Sequence, residues 1–286
     1  MSSGRTFRPA ACRRGGFTLA EVLIVIGIIL VLAGLLLHVR SRATDKAAQV
    51  LCVNNLRQVG MALLAYAQDN EQVFPKSSPL VGSNTAPHPK EDWIHWRAVP
   101  PKNDITDSIN NSAIAPYVKA KGPAFQTLMR CPSDDWENHS NPYPYSYSFN
   151  YTMTPDASPN AAPSITPGKP PTPRLSAIER PGEKILVAEE NERTINDGLW
   201  APGNYTDASR TNWIVQWDWL SVRHDTRQKE FNTPVAGTLP QQGLRGNVVF
   251  ADGHADFVAR KFAHAPQHLL PNNEGTGKVP APPAGG

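Results

Sequence analysis

The sequence predicts an α+β protein: a long N-terminal helix packed on a small antiparallel sheet, with long loops between the elements. Three observations carry this expectation. Residues 17–37 form an apolar run of 21 residues with a single charge, Glu21. Residues 44–70 repeat apolar side chains at helical spacing. Beyond them lie short apolar runs bounded by turn residues, and the 28 prolines of the 286-residue chain, about twice the usual frequency, favour short elements and long connections.

The apolar run comes first. At about 1.5 Å per residue its helix is about 30 Å long, the thickness of a bilayer's hydrocarbon core. It is too long for the apolar region of a cleaved secretory signal, and no A-x-A site follows it. A soluble helix of this length would carry a polar face. Arg5, Arg8, Arg13 and Arg14 precede the run with no acid among them, against Arg40 and Arg42 after it. The positive-inside rule then keeps the N-terminus cytoplasmic and exports the body in a single pass. Glu21 is the anomaly, because a carboxylate at a helix centre costs about 2.5–3.5 kcal/mol on insertion, less near an interface. A snorkelling side chain with no role is one reading of its position.

The residues around it read Gly15-Gly16-Phe17-Thr18-Leu19-Ala20-Glu21-Val22. This stretch resembles the processing site of type IV pilins and type II secretion pseudopilins. The resemblance implies that a prepilin peptidase/methyltransferase removes a leader, residues 1–16, by cutting after Gly16 and then methylates Phe17. It implies that Glu21, at the fifth mature position, acts when the subunit enters a filament. The implied partners are other pilin or pseudopilin subunits, the inner-membrane assembly platform and, before assembly, membrane lipid. The implied location is the inner (cytoplasmic) membrane with the C-terminal domain periplasmic or extracellular, or a cell-surface filament. The physics is compatible. An ammonium on Phe17 and the Glu21 carboxylate both need partners in a low-dielectric bundle, and a neighbouring subunit's Glu21 can supply one. Such a pair would fix axial register, as a buried polar group does in a coiled coil.

Next, residues 38–74 are expected to continue the helix as an amphipathic segment. Ala48, Cys52, Leu56, Val59, Leu63 and Tyr66 form the stripe, Gly60 is a weak point, and Pro75 ends it. Residues 75–265 read as a loop-rich α+β ectodomain with short helices near 105–118 and 122–129. Strands are expected over 146–151, 184–190 and 213–220. Residues 155–173 hold seven prolines and form an exposed insertion. The clearest hairpin runs from Asn247 to Ala259. Asp252-Gly253 suits a two-residue type I′ turn, which pairs Val248 with Phe257 and Phe250 with Ala255. Residues 266–286 read as a disordered tail.

The formal charge of +3 is a leader effect, because from His38 onward 24 basic side chains balance 24 acidic ones. The ectodomain therefore offers no phosphate track, and no nucleic acid is expected as a partner. Of three cysteines, Cys12 leaves with the leader. Cys52 and Cys131 face an oxidising compartment, where they either form a disulfide or stay as two buried thiols.

The ectodomain is similar to the large prepilin-like proteins of planctomycete-type bacteria. The likeness rests on Cys52-x-x-Asn55-Leu56, Cys131-Pro132-Ser133-Asp134, the strand before Glu189, and a late Arg223-His224 followed by Asp252-Gly253. The signature of that branch is a His about nine residues before Asp-Gly. Here 27 residues separate His224 from Asp252, so 225–244 reads as an insertion.

Asp218, His224, Asp225, Asp252, His254 and Asp256 invite a metal or hydrolase reading. No spacing matches an EF-hand loop, and no H-E-x-x-H or G-x-S-x-G occurs. The expectation is no enzyme, no catalytic residue, no metal and no cofactor. The chain reads as a structural subunit of a pilus or type II secretion pseudopilus, with no indication of which, or whether it is a major or minor component. The alternatives are a minor tip-located subunit that recognises substrate or surface, and a membrane-anchored calcium-binding or enzymatic ectodomain exported by the leader.

Overall fold

The computed structural model describes residues 18–77, 90–96, 109–139, 143–155, 174–205, 213–215, 218–227, 239 and 241–271, without side chains at 35–43, 204–205 and 213–215. The leader, Phe17, the insertion 156–173, most of 225–244 and the tail beyond 271 lie outside the described residues. The chain divides into two units, Met1–Thr44 and Asp45–Gly286. The first helix, α1, spans Leu19–Asp69. In the first unit its described side chains, residues 19–34, are all exposed. Among the described residues no helix is long and apolar enough to cross a membrane.

In the second unit α1 is amphipathic. Cys52, Leu56, Val59 and Leu63 are fully buried, and Ala48 and Tyr66 are half-buried. The helix stops at Asp69, short of the 74 expected. Glu71 and Gln72 turn left-handed at φ 55° and 66°. Gln72 N donates to Ala67 O at 2.8 Å and Asn70 Nδ2 to Tyr66 O at 2.8 Å, so the last carbonyls are satisfied by the turn itself. The reversal delivers Phe74 into the core. A 3-10 turn at Ala115–Tyr117 and α2, Pro123–Leu128, follow.

Five strands form the main sheet: β1 (Tyr147–Asn150), β2 (Ile185–Glu189), β3 (Leu199–Trp200), β6 (Arg245–Phe250) and β7 (Ala255–Ala259), in the order β3-β1-β2-β6-β7. The sheet is mixed, which corrects the antiparallel expectation: Phe149–Asn150 run parallel to Leu199–Trp200. The chain reverses after β2 and lands beyond β1, so β3 opposes β2 in direction and matches β1. β4 (Gly203–Tyr205) and β5 (Trp213–Val215) make a separate ribbon. The strand expected over 213–220 is thus shorter, and Leu220 instead bridges Glu190.

The β6–β7 hairpin is offset by one residue from the expected register: Val248 faces Asp256 and Asn247 faces Phe257. Its loop is Ala251-Asp252-Gly253. Gly253 N donates to Phe250 O, Phe250 N to His254 O, and Gly253 sits at φ +90°. This is a three-residue loop closed by a left-handed glycine, not a type I′ turn. The one-residue shift exchanges the faces of β7.

Both faces of the sheet are covered. Tyr147, Phe149, Val187 and Val249 pack with the α1 stripe and with Trp93, Trp96 and Phe125. Ile185, Ala188, Val248, Phe250 and Val258 pack with Trp200, Leu220, Ala263 and Leu269 on the other side. The last two belong to α3 (Arg260–Ala263) and α4 (Pro266–Leu269). The predicted tail therefore begins too early. Leu269 is buried, and its carbonyl accepts from Asn150 Nδ2 at 2.8 Å.

Gly60 is a contact, not a weak point. A Cβ there would lie 2.9 Å from Val249 Cγ1 on the interior strand β6. Gly60→Ala gains about 1 kcal/mol of helix propensity but overpacks a stiff β-branched neighbour at a cost of about 1–3 kcal/mol. Denaturant unfolding of Gly60→Ala should show a net loss of about 1 kcal/mol. Adding Val249→Ala should cost less than its effect alone plus that loss; strict additivity would show that the contact is not limiting.

Candidate functional site

At the N-terminal motif, Gly16 and Phe17 lie outside the described residues. Glu21 lies within them. Thr18 N and Thr18 Oγ1 each donate to Glu21 Oε2 at 2.8 Å, and Glu21 N donates to Thr18 Oγ1 at 3.3 Å. This is a reciprocal capping box: it satisfies backbone donors of the first turn that no intrahelical carbonyl can reach. The Thr-x-x-Glu spacing is visible in the sequence and accounts for the carboxylate locally.

The second site lies where α1 meets the body. Cys52 and Cys131 are joined by a disulfide, with Cα atoms 5.1 Å apart. Of the two readings of this pair, bridge or free thiols, the structure has the bridge. Cys131 follows α2, and its N–H donates to Ser146 Oγ at 2.8 Å. Asn55 Nδ2, one turn beyond Cys52, donates to Arg130 O at 3.3 Å. His224 Nε2 lies 3.1 Å from Cys131 Sγ and 3.5 Å from Glu189 Oε1. Both side chains are buried.

Beside the disulfide, Arg223 is enclosed by carboxylates. Its Nη1 is 2.7 Å from Asp134 Oδ1, its Nε 3.4 Å from Glu189 Oε1, and its Nη2 3.2 Å from Glu192 Oε2. Nη2 also donates to Glu190 O at 2.9 Å. Burial disfavours this guanidinium's charge, but the three carboxylates outweigh burial and push its pKa up. Burial also raises Asp134. Arg223, His139 at 3.0 Å and the Ser146 hydroxyl at 2.6 Å reverse that and hold it at about 2.

Among the described residues a second acidic pair has no such cation. Glu190 and Asp218 are buried, and burial raises both pKa values well above the usual range, helped at Glu190 by the charges of Asp218 and Asp197 and at Asp218 by that of Asp197. Glu190 Oε2 accepts from Ser148 Oγ at 2.6 Å, and Asp218 Oδ2 accepts from Ala201 N at 2.6 Å.

The six residues that invite a metal or hydrolase reading serve different local tasks. Asp218 joins Glu190, while His224 joins the disulfide. Asp225 holds Arg227 at 2.6 Å and caps Arg245 N at 2.9 Å. Asp252 and His254 pair at 2.6 Å in the hairpin loop, and Asp256 accepts from Phe257 N at 2.6 Å. The signature residues part company as well. His224 sits at the disulfide, whereas Gly253 lies against α1, where a Cβ would meet Met61 Sδ at 3.1 Å. Glu189, Glu190 and Arg223 were not singled out from the sequence for charge. The available signal was two consecutive carboxylates closing an otherwise apolar strand, Ile185–Glu190.

Residues 12–37 match the family model described as the prokaryotic N-terminal methylation motif, which supports a type IV pilin-like prepilin. No curated protein and no solved structure matches the chain.

The two acid clusters oppose each other in pH dependence. Asp134, lowered in the fold, adds stability above its unfolded pKa of about 4 that is lost as pH falls towards 2. Glu190 and Asp218, raised in the fold, cost stability as pH climbs above that same value. Asp218→Asn keeps an acceptor for Ala201 N and removes the repulsion. Thermal melts should show it stabilised at pH 7 by at least about 1 kcal/mol, the worth of one pKa unit, with the gain vanishing near pH 4. An equal effect at both pH values would refute the assignment.

Proposed function

We propose that the chain is a prepilin-like exported subunit, cut after Gly16, methylated at Phe17, and assembled through its N-terminal helix into a pilus or type II secretion pseudopilus. The observation that carries this reading is the methylation-motif match over residues 12–37, with Glu21 at its expected place. In this reading residues 17–37 first cross the inner membrane and the body is exported. The Cys52–Cys131 disulfide suits an oxidising compartment. The subunit is structural and not an enzyme. Its Arg223-His224 and Asp252-Gly253 elements support a kinship with the large planctomycete-type prepilins, with an insertion between them. The peptidase/methyltransferase, fellow subunits and the assembly platform are its partners.

A second reading, a minor tip subunit, is favoured by a concavity of about 300 Å³ lined by Tyr66, Asn70, Glu71, Phe74, Lys76 and Glu91. That size is at the lower end for small-ligand sites. Abundance in sheared surface fractions separates the two, since a tip subunit is scarce there.

The capping box adds a step to the role of Glu21. Before assembly the carboxylate is held by Thr18 of its own chain. On assembly it neutralises the Phe17 ammonium of a neighbour.

Mass spectrometry of membrane or fibre fractions should find a chain starting at Phe17 and N-methylated. Retention of residues 1–16 in cells with an active prepilin peptidase would overturn the reading. Glu21→Leu should be inserted and cut normally, since an insertion cost of about 3 kcal/mol disappears. Filament yield by shearing and immunoblot should collapse and be partly rescued by co-expressed wild-type subunits. Normal cutting with wild-type fibre yield would reduce Glu21 to its cap.

A further inference from the structure

The geometry points to a second use of the disulfide site: with the cysteines reduced, Cys52, Cys131, His224 and Glu189 form a tetrahedral site for a zinc-type divalent cation. The two sulfurs, an imidazole nitrogen and a carboxylate oxygen all lie within 4.8 Å of one another. A tetrahedral zinc ion with sulfur at about 2.3 Å and nitrogen or oxygen at about 2.0–2.2 Å sets neighbouring ligand atoms roughly 3.3–3.8 Å apart. The imidazole and carboxylate already stand near that spacing, with His224 Nε2 3.1 Å from Cys131 Sγ and 3.5 Å from Glu189 Oε1. The sulfurs need to part, as they do once the bond between them is gone.

A disulfide by itself needs neither an imidazole nor a carboxylate beside it. Glu189 Oε1 is fully buried and accepts no hydrogen bond. Its partner oxygen Oε2 is taken by Asn247 Nδ2 at 2.8 Å, which aims Oε1 at the cluster. Arg223 Nε and His224 Nε2 stand 3.4 and 3.5 Å from Oε1 without a hydrogen bond to it, which leaves its coordination open to a metal ion set closer in. Two thiolates and one carboxylate against a divalent ion leave one negative charge, and the Arg223 guanidinium lies beside it, with Nε 3.4 Å from Glu189 Oε1. Two thiolates and an imidazole select zinc over calcium or magnesium. The consequence is a staple between α1 and the segment after α2 that persists in either redox state.

Reduction by a trialkylphosphine breaks the S–S bond. The phosphine takes oxygen from water and becomes its oxide, and the two sulfurs become thiols. Metal binding then releases both thiol protons.

The test uses the full chain with Cys12→Ser, in detergent, reduced anaerobically and titrated with cobalt. The expected result is one cobalt per chain, with a thiolate-to-cobalt charge-transfer band and intense tetrahedral visible bands. Zinc should displace the cobalt and shield both thiols from alkylation. The oxidised chain should give neither band. Glu189→Gln and His224→Ala, accepted only if they form the disulfide, should weaken cobalt binding by at least about tenfold, while His254→Ala should not. Three results overturn the proposal: reduced wild type without the charge-transfer band, folded variants that titrate like wild type, or a reduced chain that unfolds and is not restored by zinc. If neither variant folds, alkylation of the reduced wild type with and without zinc decides.

Discussion

A guanidinium sealed from water is the constraint around which the body is arranged. Arg223 comes from the segment after Leu220, Asp134 from the turn after Cys131, Glu189 from the end of β2 and Glu192 from the turn beyond it. None of these segments is long enough to stabilise itself. A buried ion pair adds little net stability against an apolar replacement, but leaving one partner unpaired costs about 3–5 kcal/mol. Any arrangement that misplaces one of these turns pays that penalty. The network therefore selects this packing against other compact ones more than it deepens it.

The disulfide works in the complementary direction. It closes a loop of 79 positions between α1 and the turn that carries Asp134. Chain-entropy estimates assign about 4 kcal/mol to closures of that order, mostly by restricting the unfolded chain. Cys131 and Asp134 are also drawn together through one hydroxyl: Ser146 accepts from Cys131 N and donates to Asp134 Oδ2. The covalent tie and the charge network thus meet at the start of β1, and His224 sits between them.

How much of this was legible follows from the range of each interaction. The α1 stripe was readable because helical burial repeats every three to four residues, and Cys52, Leu56, Val59 and Leu63 are all buried as that period requires. The strand over 147–150 was readable as an aromatic stretch after a turn, and that over 185–189 as a short apolar run. The hairpin was readable in place but not in register, because Asp252-Gly253 suits both a two-residue and a three-residue loop. The structure has the three-residue loop, and there Gly253 faces Met61 and Leu64, about 190 residues away in sequence. The parallel β3 was missed because a two-residue strand has no period to detect. The charge network was missed because its members are spread from 134 to 223. Only the doubled carboxylate at 189–190 marks it locally. The site for Glu21 was read from a resemblance, and its capping bonds were there in the Thr-x-x-Glu spacing.

Those capping bonds change the energetics of the carboxylate at the N-terminal motif. A free carboxylate carried into hydrocarbon must either take a proton or drag water with it. Glu21 instead accepts from a backbone N–H and a hydroxyl of the first turn, donors that the helix start leaves over in any case. The same two bonds thus relieve an unsatisfied helix end and an under-solvated acid, so the charge costs less than its insertion value suggests. In the proposed assembly the incoming ammonium does not meet a naked carboxylate. It meets one already oriented along the helix end by Thr18, and it has to exceed the worth of a cap, about 1 kcal/mol, to redirect it. A charge-assisted bond in a water-poor bundle exceeds that comfortably, at about 1.5–3 kcal/mol. Under the proposed function the motif thus gives a carboxylate that is quiet in the single chain and available to a second one.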